Sequence, residues 1–529
     1  MTALTSEALR TIPAAVQEAM ARPDAHLWRE AMQDELRSLA ENNAWELTEL
    51  PPGAKLTGSR WVFDLKRDVA GHVVRNKAQF LVRGFTQNPG VDYDEVWAPT
   101  PARATVRAVL ALATATDMEI HCLDIKTAYL NSMMDKDVYV EQPKGSAVGG
   151  KKLVWHILRA VYGCKQAGRL WGGHFAATLV NAGAVRSAAD PCLFVWSHSV
   201  HGVLFILVHV DDVLLSAEDR AGIKAVKDVI TSAYTIRDFG EVGDFLGMRV
   251  TRDRTARTLM LTSPRYARAL VGARGLGSAN SAKTPMAPGL VLTRTGADLL
   301  DEGGPAYAEL VGGLLYLATT TRPDIAFAAG VLSCFLHAPE DGHWRAAKPV
   351  LRYLAGTLDM GLCFGGGGEL EVCCDADFAS ERETRRSTTG GLFCWNGAAV
   401  SWSSRRQPTV STSTAEAEYI SAAAATKEAL WYRKLLVDLG EPLTTLKIGE
   451  DNNACLAMVN NPEGTVRAKH IDMAHHMVRD RVARGEVAFY RVPTAEMAAD
   501  GFTKPLPAAA FTEFRTCVGA RAQEHVTRA

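Results

Sequence analysis

The sequence predicts an α+β chain of several domains, and length, composition and patterning each point that way. Its 529 residues correspond to about three or four domains at roughly 100 to 200 residues each. Apolar residues at 47% and charged residues at 22% are ordinary globular usage, which excludes a disordered tail protein and a fibrous repeat. Stretches of period-2 alternation and of helical spacing succeed one another without an internal repeat. The 58 Lys and Arg nearly cancel the 59 Asp and Glu, so affinity for a polyanion has to come from local patches. Ten cysteines form no CxxC pair and no zinc-finger array, which fits a reduced, intracellular chain. MTALTSEALRTIPAAV has no basic segment leading into an apolar one, and no apolar run nears about 18 residues, so neither a signal peptide nor a membrane span is expected.

Trp28, Met32, Leu36 and Leu39 recur at helical spacing before Pro51-Pro52-Gly53 ends the pattern, which predicts a helical packing arm. SRWVFDLKRDVAGHVVRNKAQFLVRGF alternates on both sides of Ala70-Gly71 and predicts a long β-hairpin. It carries six basic residues (Arg60, Lys66, Arg67, Arg75, Lys77, Arg83), a pattern that suits a phosphate-binding surface or a solvated face equally. An Ala-rich helix over 101–116 precedes IHCLDIKTAYLN, a strand ending at Asp124 and then a helical turn. In VLFILVHVDDVLLS, Asp211 and Asp212 sit between two apolar strands. Adjacent carboxylates repel each other, and a divalent cation would relieve that repulsion, although Asp is also an ordinary turn residue. KTPMAPGLVLTRTG reads as a linker, 305–360 as helices broken at Arg322-Pro323, and Gly365 to Gly368 as a boundary. Beyond it, strands, a hairpin at Trp395-Asn396-Gly397 and a long helix over 414–439 describe a compact α/β domain.

LDIKTAYLN, VYGCKQAGRLW and HVDD, in that order, resemble the polymerase motifs of reverse transcriptases from copia-like LTR retrotransposons. TRPDIAFAAGVLS, SWSSRRQPTVSTSTAEAEYI, AKHIDMAHHMVRD and DGFTKPLP extend the match from about Trp28 to Pro507. The resemblance implies a right-hand polymerase of fingers, palm and thumb, then a helical connection and an RNase H-like α/β domain. The implied division is 1–44 for the N-terminal helical arm, 45–288 for the reverse transcriptase, 289–365 for the connection, 366–510 for the RNase H-like domain and 511–529 for a C-terminal tail. It further implies RNA-directed DNA polymerase and ribonuclease H activities on an RNA template, a DNA primer, dNTPs and RNA-DNA hybrid. The implied location is intracellular, with no membrane partner, in the family's virus-like particles.

By the same resemblance Asp124 and Asp211 hold two Mg²⁺ ions, with Mn²⁺ as an alternative, and Asp212 assists or positions the loop. Mg²⁺ takes one or two carboxylates plus substrate phosphates, which agrees with that mapping. Tyr129 is the implied steric gate against a 2′-hydroxyl, with a core tyrosine as the alternative. Gln166 is implied near the nucleotide pocket, and Lys66 and Lys77 on phosphates. Asp375, Glu418, Asp451 and Asp500 match the four acids of an RNase H site with two metal ions. Asp377 and Glu416 are alternative ligands, and Glu450 adds like charge beside Asp451. His470, Asp472 and His476 have no cysteine partner and are assigned no zinc. Three positions depart from the family pattern: Gln79 for Arg, His209 for Tyr and Gly168 for Pro. Gln cannot bind phosphate as Arg does, which keeps open the rival reading of a decayed remnant that only binds nucleic acid.

Overall fold

A computed structural model describes residues 11–67, 72–149, 152–277, 279–296, 304–460 and 472–523. Helix α1 (Ala25–Glu41) buries Trp28, Ala31, Met32 and Leu39, and this stripe packs on the hairpin of β1 (Ser59–Arg67) and β2 (Val73–Val82). Trp61, Phe63, Leu65, Ala78, Phe80 and Val82 form the hairpin's buried face. Alternation therefore sends Asp64, Lys66, Arg75, Lys77 and Gln79 to the opposite face, where Asp64 lies across the ladder from Lys77 and Lys66 from Arg75. Glu35 of α1 closes the strand edge by accepting the Phe80 N–H at 3.1 Å. The Ala70-Gly71 turn lies outside the described residues.

The palm is a six-stranded antiparallel sheet. Helix α2 (Arg103–Ala115) precedes β3 (Glu119–Ile125), and α3 (Ala167–Asn181) precedes β4 (Leu193–His198), β5 (Gly202–His209), β6 (Asp212–Ala217) and β7 (Ile236–Glu241). The order is β7-β3-β6-β5-β4 with a short edge strand, Val185–Arg186. Helix α2 packs with Phe205, Leu207 and Leu214 on one face, while Trp171, Phe175 and Leu179 of α3 pack with Leu204, Ile206, Val213 and Leu215 on the other. Burial on both faces explains why the HVDD strands read as apolar runs rather than alternating.

Strands β8 (Met248–Asp253) and β9 (Thr258–Thr262) lead to helices α4 (Gly304–Thr320), α5 (Ala326–Ser333) and α6 (Asp341–Ala355) and then to β10 (Met360–Phe364). The break at Arg322-Pro323 is fixed by a buried ion pair from Arg322 Nη2 to Asp324 Oδ2 at 2.8 Å, and the Tyr353 hydroxyl donates to the same oxygen at 2.7 Å.

The C-terminal sheet runs β13-β12-β11-β14-β15, from β11 (Glu371–Ala376), β12 (Thr388–Trp395), β13 (Ala398–Arg406), β14 (Leu446–Glu450) and β15 (Val487–Arg491). The first three are antiparallel, β14 and β15 add in parallel, and α7 (Thr414–Asp438) covers one face: an RNase H-like arrangement. The expected 511–529 tail is not a tail as far as Ala522. Helix α8 (Ala508–Cys517) buries Phe511 and Phe514, and β16 (Ala520–Ala522) pairs with β10. That pairing is long-range and leaves no local signal in three residues. The sheet also docks on the palm: the buried Arg107 of α2 stacks 4.1 Å over Trp402 and donates to the Val400 carbonyl at 2.7 Å. Among the described residues no helix is long and apolar enough to cross a membrane.

Candidate active sites

The first site lies at the ends of β3, β5 and β6. Asp124 stands directly opposite Asp212 across the β3/β6 ladder, and His209 faces Asp212 across the hairpin. Val210 and Asp211 form the two-residue turn. Such turns require positive φ at a central position, normally supplied by Gly or Asn, yet Val210 holds φ at 59°. A β-branched residue there is strained. The surroundings impose it: Trp171 Nε1 donates to the Val210 carbonyl at 2.6 Å, and the Ile125 N–H donates to the Asp211 carbonyl at 2.8 Å.

Burial, then Asp211, raises the Asp124 pKa. Asp212 is pushed up to about 6 by burial, then by Asp211 and Asp124. This is the mutual repulsion that a hard cation relieves, and carboxylate oxygens are its natural donors. A cleft of about 640 Å³ opens at Asp211 and Asp212, which line it together with Arg103, Tyr129, Tyr162, His209 and Tyr316 among others. Tyr129 is half-buried, edge-on to Tyr162 at 4.7 Å, so it belongs to the cleft wall and partly to the core.

The basic hairpin divides its tasks. Lys77 is close enough to Asp124 to pull its pKa down, whereas Lys66 is exposed and paired with Asp64 at 2.9 Å. Gln79 shares the Lys77 face. Gln166 is wholly buried, donating to the Asp92 carbonyl at 2.9 Å and accepting from Gln87 at 3.3 Å. Its amide fastens the 87–92 loop and does not line the cleft. Gly168 has a packing reason, since a Cβ there would meet the Ala98 Cβ at 3.0 Å. His209 places a buried Nδ1 without a hydrogen-bond partner among the described residues, and burial lowers its pKa.

The second site lies on the C-terminal sheet. Asp375 of β11, Glu418 of α7 and Asp451, just after β14, bring one carboxylate oxygen each within 4.8 Å of one another. Among the described residues this is the three-acid group close enough to share an ion; the palm acids are spread more widely. Glu418 Oε2 accepts the Ala376 N–H at 2.7 Å, Thr503 Oγ1 donates to Asp375 Oδ2, and Ser421 Oγ donates to the Asp375 carbonyl at 2.8 Å. Asp500 stands in a 3-10 turn, Ala498–Phe502, bound to Lys504 Nζ at 2.7 Å, and is near enough to raise the Asp375 pKa.

The structure separates the register alternatives. Asp377 accepts the Thr388 N–H at 2.7 Å and bonds Ser380, and Glu416 accepts the Thr412 N–H at 2.8 Å at the start of α7. Both carboxylates are committed to local turns. Burial first, then neighbouring acids, pushes Glu418 up to about 10. Burial chiefly lifts Asp375 and Glu450 to about 7. Glu450 is fully buried, accepting the Asn452 N–H at 3.0 Å and facing Cys374 Sγ at 3.5 Å. Such carboxylates suit a divalent cation. Thr503 and Lys504 were not singled out from sequence, although three and four residues after Asp500 they fall on its side of a helical turn. His470 lies outside the described residues.

The family model described as "Reverse transcriptase (RNA-dependent DNA polymerase)" matches residues 42–288. The chain is 35% identical over 514 residues to the retrovirus-related Pol polyprotein from transposon TNT 1-94 of Nicotiana tabacum, covering 96% of this chain and 39% of that protein. It is 34% identical to the corresponding polyprotein from transposon RE2 of Arabidopsis thaliana, covering 93% and 34%. The chain thus spans little more than a third of these polyproteins. A transposon Ty5-1 protein of Saccharomyces cerevisiae is 34% identical over 304 residues, 57% of this chain and 98% of that protein. Among solved structures, a foamy viral protease-reverse transcriptase in complex with dsDNA aligns with TM-score 0.50 at 12% identity, covering 88% of this chain and 83% of that one. That likeness bears on the fold alone, and agrees with the fingers, palm and thumb expected ahead of the C-terminal sheet.

Proposed function

The chain belongs to the reverse transcriptase family of copia-type transposon polyproteins, and from that premise we propose that it copies RNA into DNA and cleaves the RNA strand of the resulting hybrid. The observation that carries the reading is Asp124 facing Asp212 across the ladder next to the Asp211 turn, with Asp211 and Asp212 lining a cleft walled by Tyr129. Asp124 and Asp211 are the proposed ligands of the polymerase ions, and Asp375, Glu418, Asp451 and Asp500 those of the RNase H ions, with Mg²⁺ as the cation. Bound there, paired ions supply charge stabilisation for the attacking and leaving oxygens of phosphoryl transfer. The chain's own residues do the rest. The strained turn presents Asp211, Tyr129 bounds the space beneath the incoming sugar, and Lys77 draws phosphate toward the acids. In the C-terminal site Thr503 and the Ala376 N–H fix the directions of Asp375 and Glu418.

The proposed partners are an RNA template, a DNA primer, RNA-DNA hybrid and dNTPs. The proposed divisions are 1–44, 45–288, 289–365 and 366–510, with the segment after 510 returning to pair on β10 as far as Ala522. Gln79, on the same face as Lys77, favours the second reading, a decayed copy that only binds nucleic acid. Primer extension on an RNA template decides between them. DNA synthesis with Mg²⁺ that stops in EDTA is expected, and tight template binding without extension would support decay.

A further inference from the structure

The C-terminal acid cluster carries its own cation. Lys504 follows Asp500 by four residues across a 3-10 turn, and its Nζ lies 2.7 Å from Asp500 Oδ1. The two side chains differ in access: that of Lys504 is 48% exposed and that of Asp500 16%. The ammonium of Lys504 is therefore set directly on the Asp500 carboxylate, beside the Asp375 to which Thr503 is bonded. Its neighbour Thr503 is committed elsewhere, donating to Asp375. Asp375, Glu418 and Asp451 already converge without Asp500. Asp500 stands outside that group, and its carboxylate is the one ion-paired to Lys504.

We propose that Lys504 is an internal counter-ion that occupies Asp500 in the ion-free protein and must be displaced before Asp500 can take a divalent cation, so that Lys504 sets the affinity of the weaker metal-binding step. The inference rests on the RNase H reading of this cluster. Lys504 is exposed enough for its long stem to swing into solvent when the ion pair is broken. A divalent cation wins the exchange, but pays for it in affinity. A purely structural role predicts the opposite sign, because losing Lys504 would then leave Asp500 badly placed and weaken the ion.

The test is Mn²⁺ binding, followed by calorimetry and electron paramagnetic resonance, on the full chain carrying Asp124→Asn and Asp211→Asn so that the palm does not contribute. Lys504→Gln should tighten the weaker Mn²⁺ step on the order of fivefold, while Lys504→Arg, which keeps the charge, should stay within about twofold of the parent. Thermal melts of both variants without metal establish that they fold. Normal binding in the parent with an unchanged or weakened step in Lys504→Gln overturns the counter-ion role and leaves the RNase H reading standing. Absence of Mn²⁺ binding in the parent overturns both.

Discussion

The palm and the C-terminal sheet each bring aspartates to strand ends, but they assemble them in opposite ways. In the palm, Asp211 rides on a turn whose Val210 is forced to φ 59°, and the acids stop short of a three-oxygen group. In the C-terminal sheet, Asp375, Glu418 and Asp451 converge within 4.8 Å, each of the first two fixed by hydrogen bonds from relaxed backbone or side chains. The difference matches what each is proposed to hold. A polymerase site completed by the triphosphate can leave its acids apart, because substrate oxygens fill the ion's shell. A hydrolytic site must gather more of its ligands from the protein, and here the fold bears the repulsion.

That contrast makes the two sites titrate differently, the largest effect we expect on stability. Folded pKa values of about 7 for Asp375 and Glu450 and about 10 for Glu418 lie above those of unfolded carboxyls, as does about 6 for Asp212. A group raised on folding contributes stability that is full below its unfolded value, near 4, and lost as pH rises through its folded value. Ion-free protein should therefore lose stability in the palm mainly up to about pH 6, and in the C-terminal domain through pH 7 and beyond. Added Mg²⁺ should raise the melting temperature more at about pH 8 than at about pH 6 in Asp211→Asn, where only the C-terminal cluster is whole. A stabilisation equal at both pH values would erase the contrast.

Tyr129 sharpens the palm side. If its ring bounds the sugar, Tyr129→Val raises ribonucleotide over deoxyribonucleotide incorporation by roughly tenfold or more. The stability loss should fall below the roughly 3 to 5 kcal/mol of a fully buried aromatic, since Tyr129 is half-exposed. Unchanged sugar choice with a large drop in melting temperature would make it a core residue.

The smallest effect concerns the strained turn. Val210→Gly releases about 1 to 3 kcal/mol of backbone strain, offset by lost side-chain contact and by about 0.5 to 1 kcal/mol of added chain entropy. Its net stability should stay within about 1 kcal/mol of the parent while DNA synthesis falls through a looser Asp211. A denaturant titration giving a loss above about 2 kcal/mol would mean that the turn stores no strain.

What was legible in sequence follows from which interactions are local. The hairpin over 59–82 could be read because one face is buried, so alternation is enforced residue by residue. Asp124, Asp211 and Glu418 could be placed because short motifs carry their elements. Glu416 could have been set aside too, since Ser413 followed three residues later by Glu416 is a helix-start signature, and Ser413 Oγ does accept the Glu416 N–H at 3.2 Å. Gln166 could not be read: its burial depends on a loop at 87–92 that folds back over it. Nor could β16, whose only reason to be a strand is β10, far away in the chain.

The two sites are expected to work independently of each other. Asp211→Asn and Asp451→Asn are each assayed for primer extension on RNA and for cleavage of RNA-DNA hybrid, with melting curves for both. The expected result is a crossed pattern: Asp211→Asn loses DNA synthesis by on the order of 10³-fold or more, the several kcal/mol of charge stabilisation that an ion supplies, and keeps hybrid cleavage, while Asp451→Asn does the reverse. Loss of both activities from either single substitution in a folded chain would contradict two separate sites and point to one shared centre.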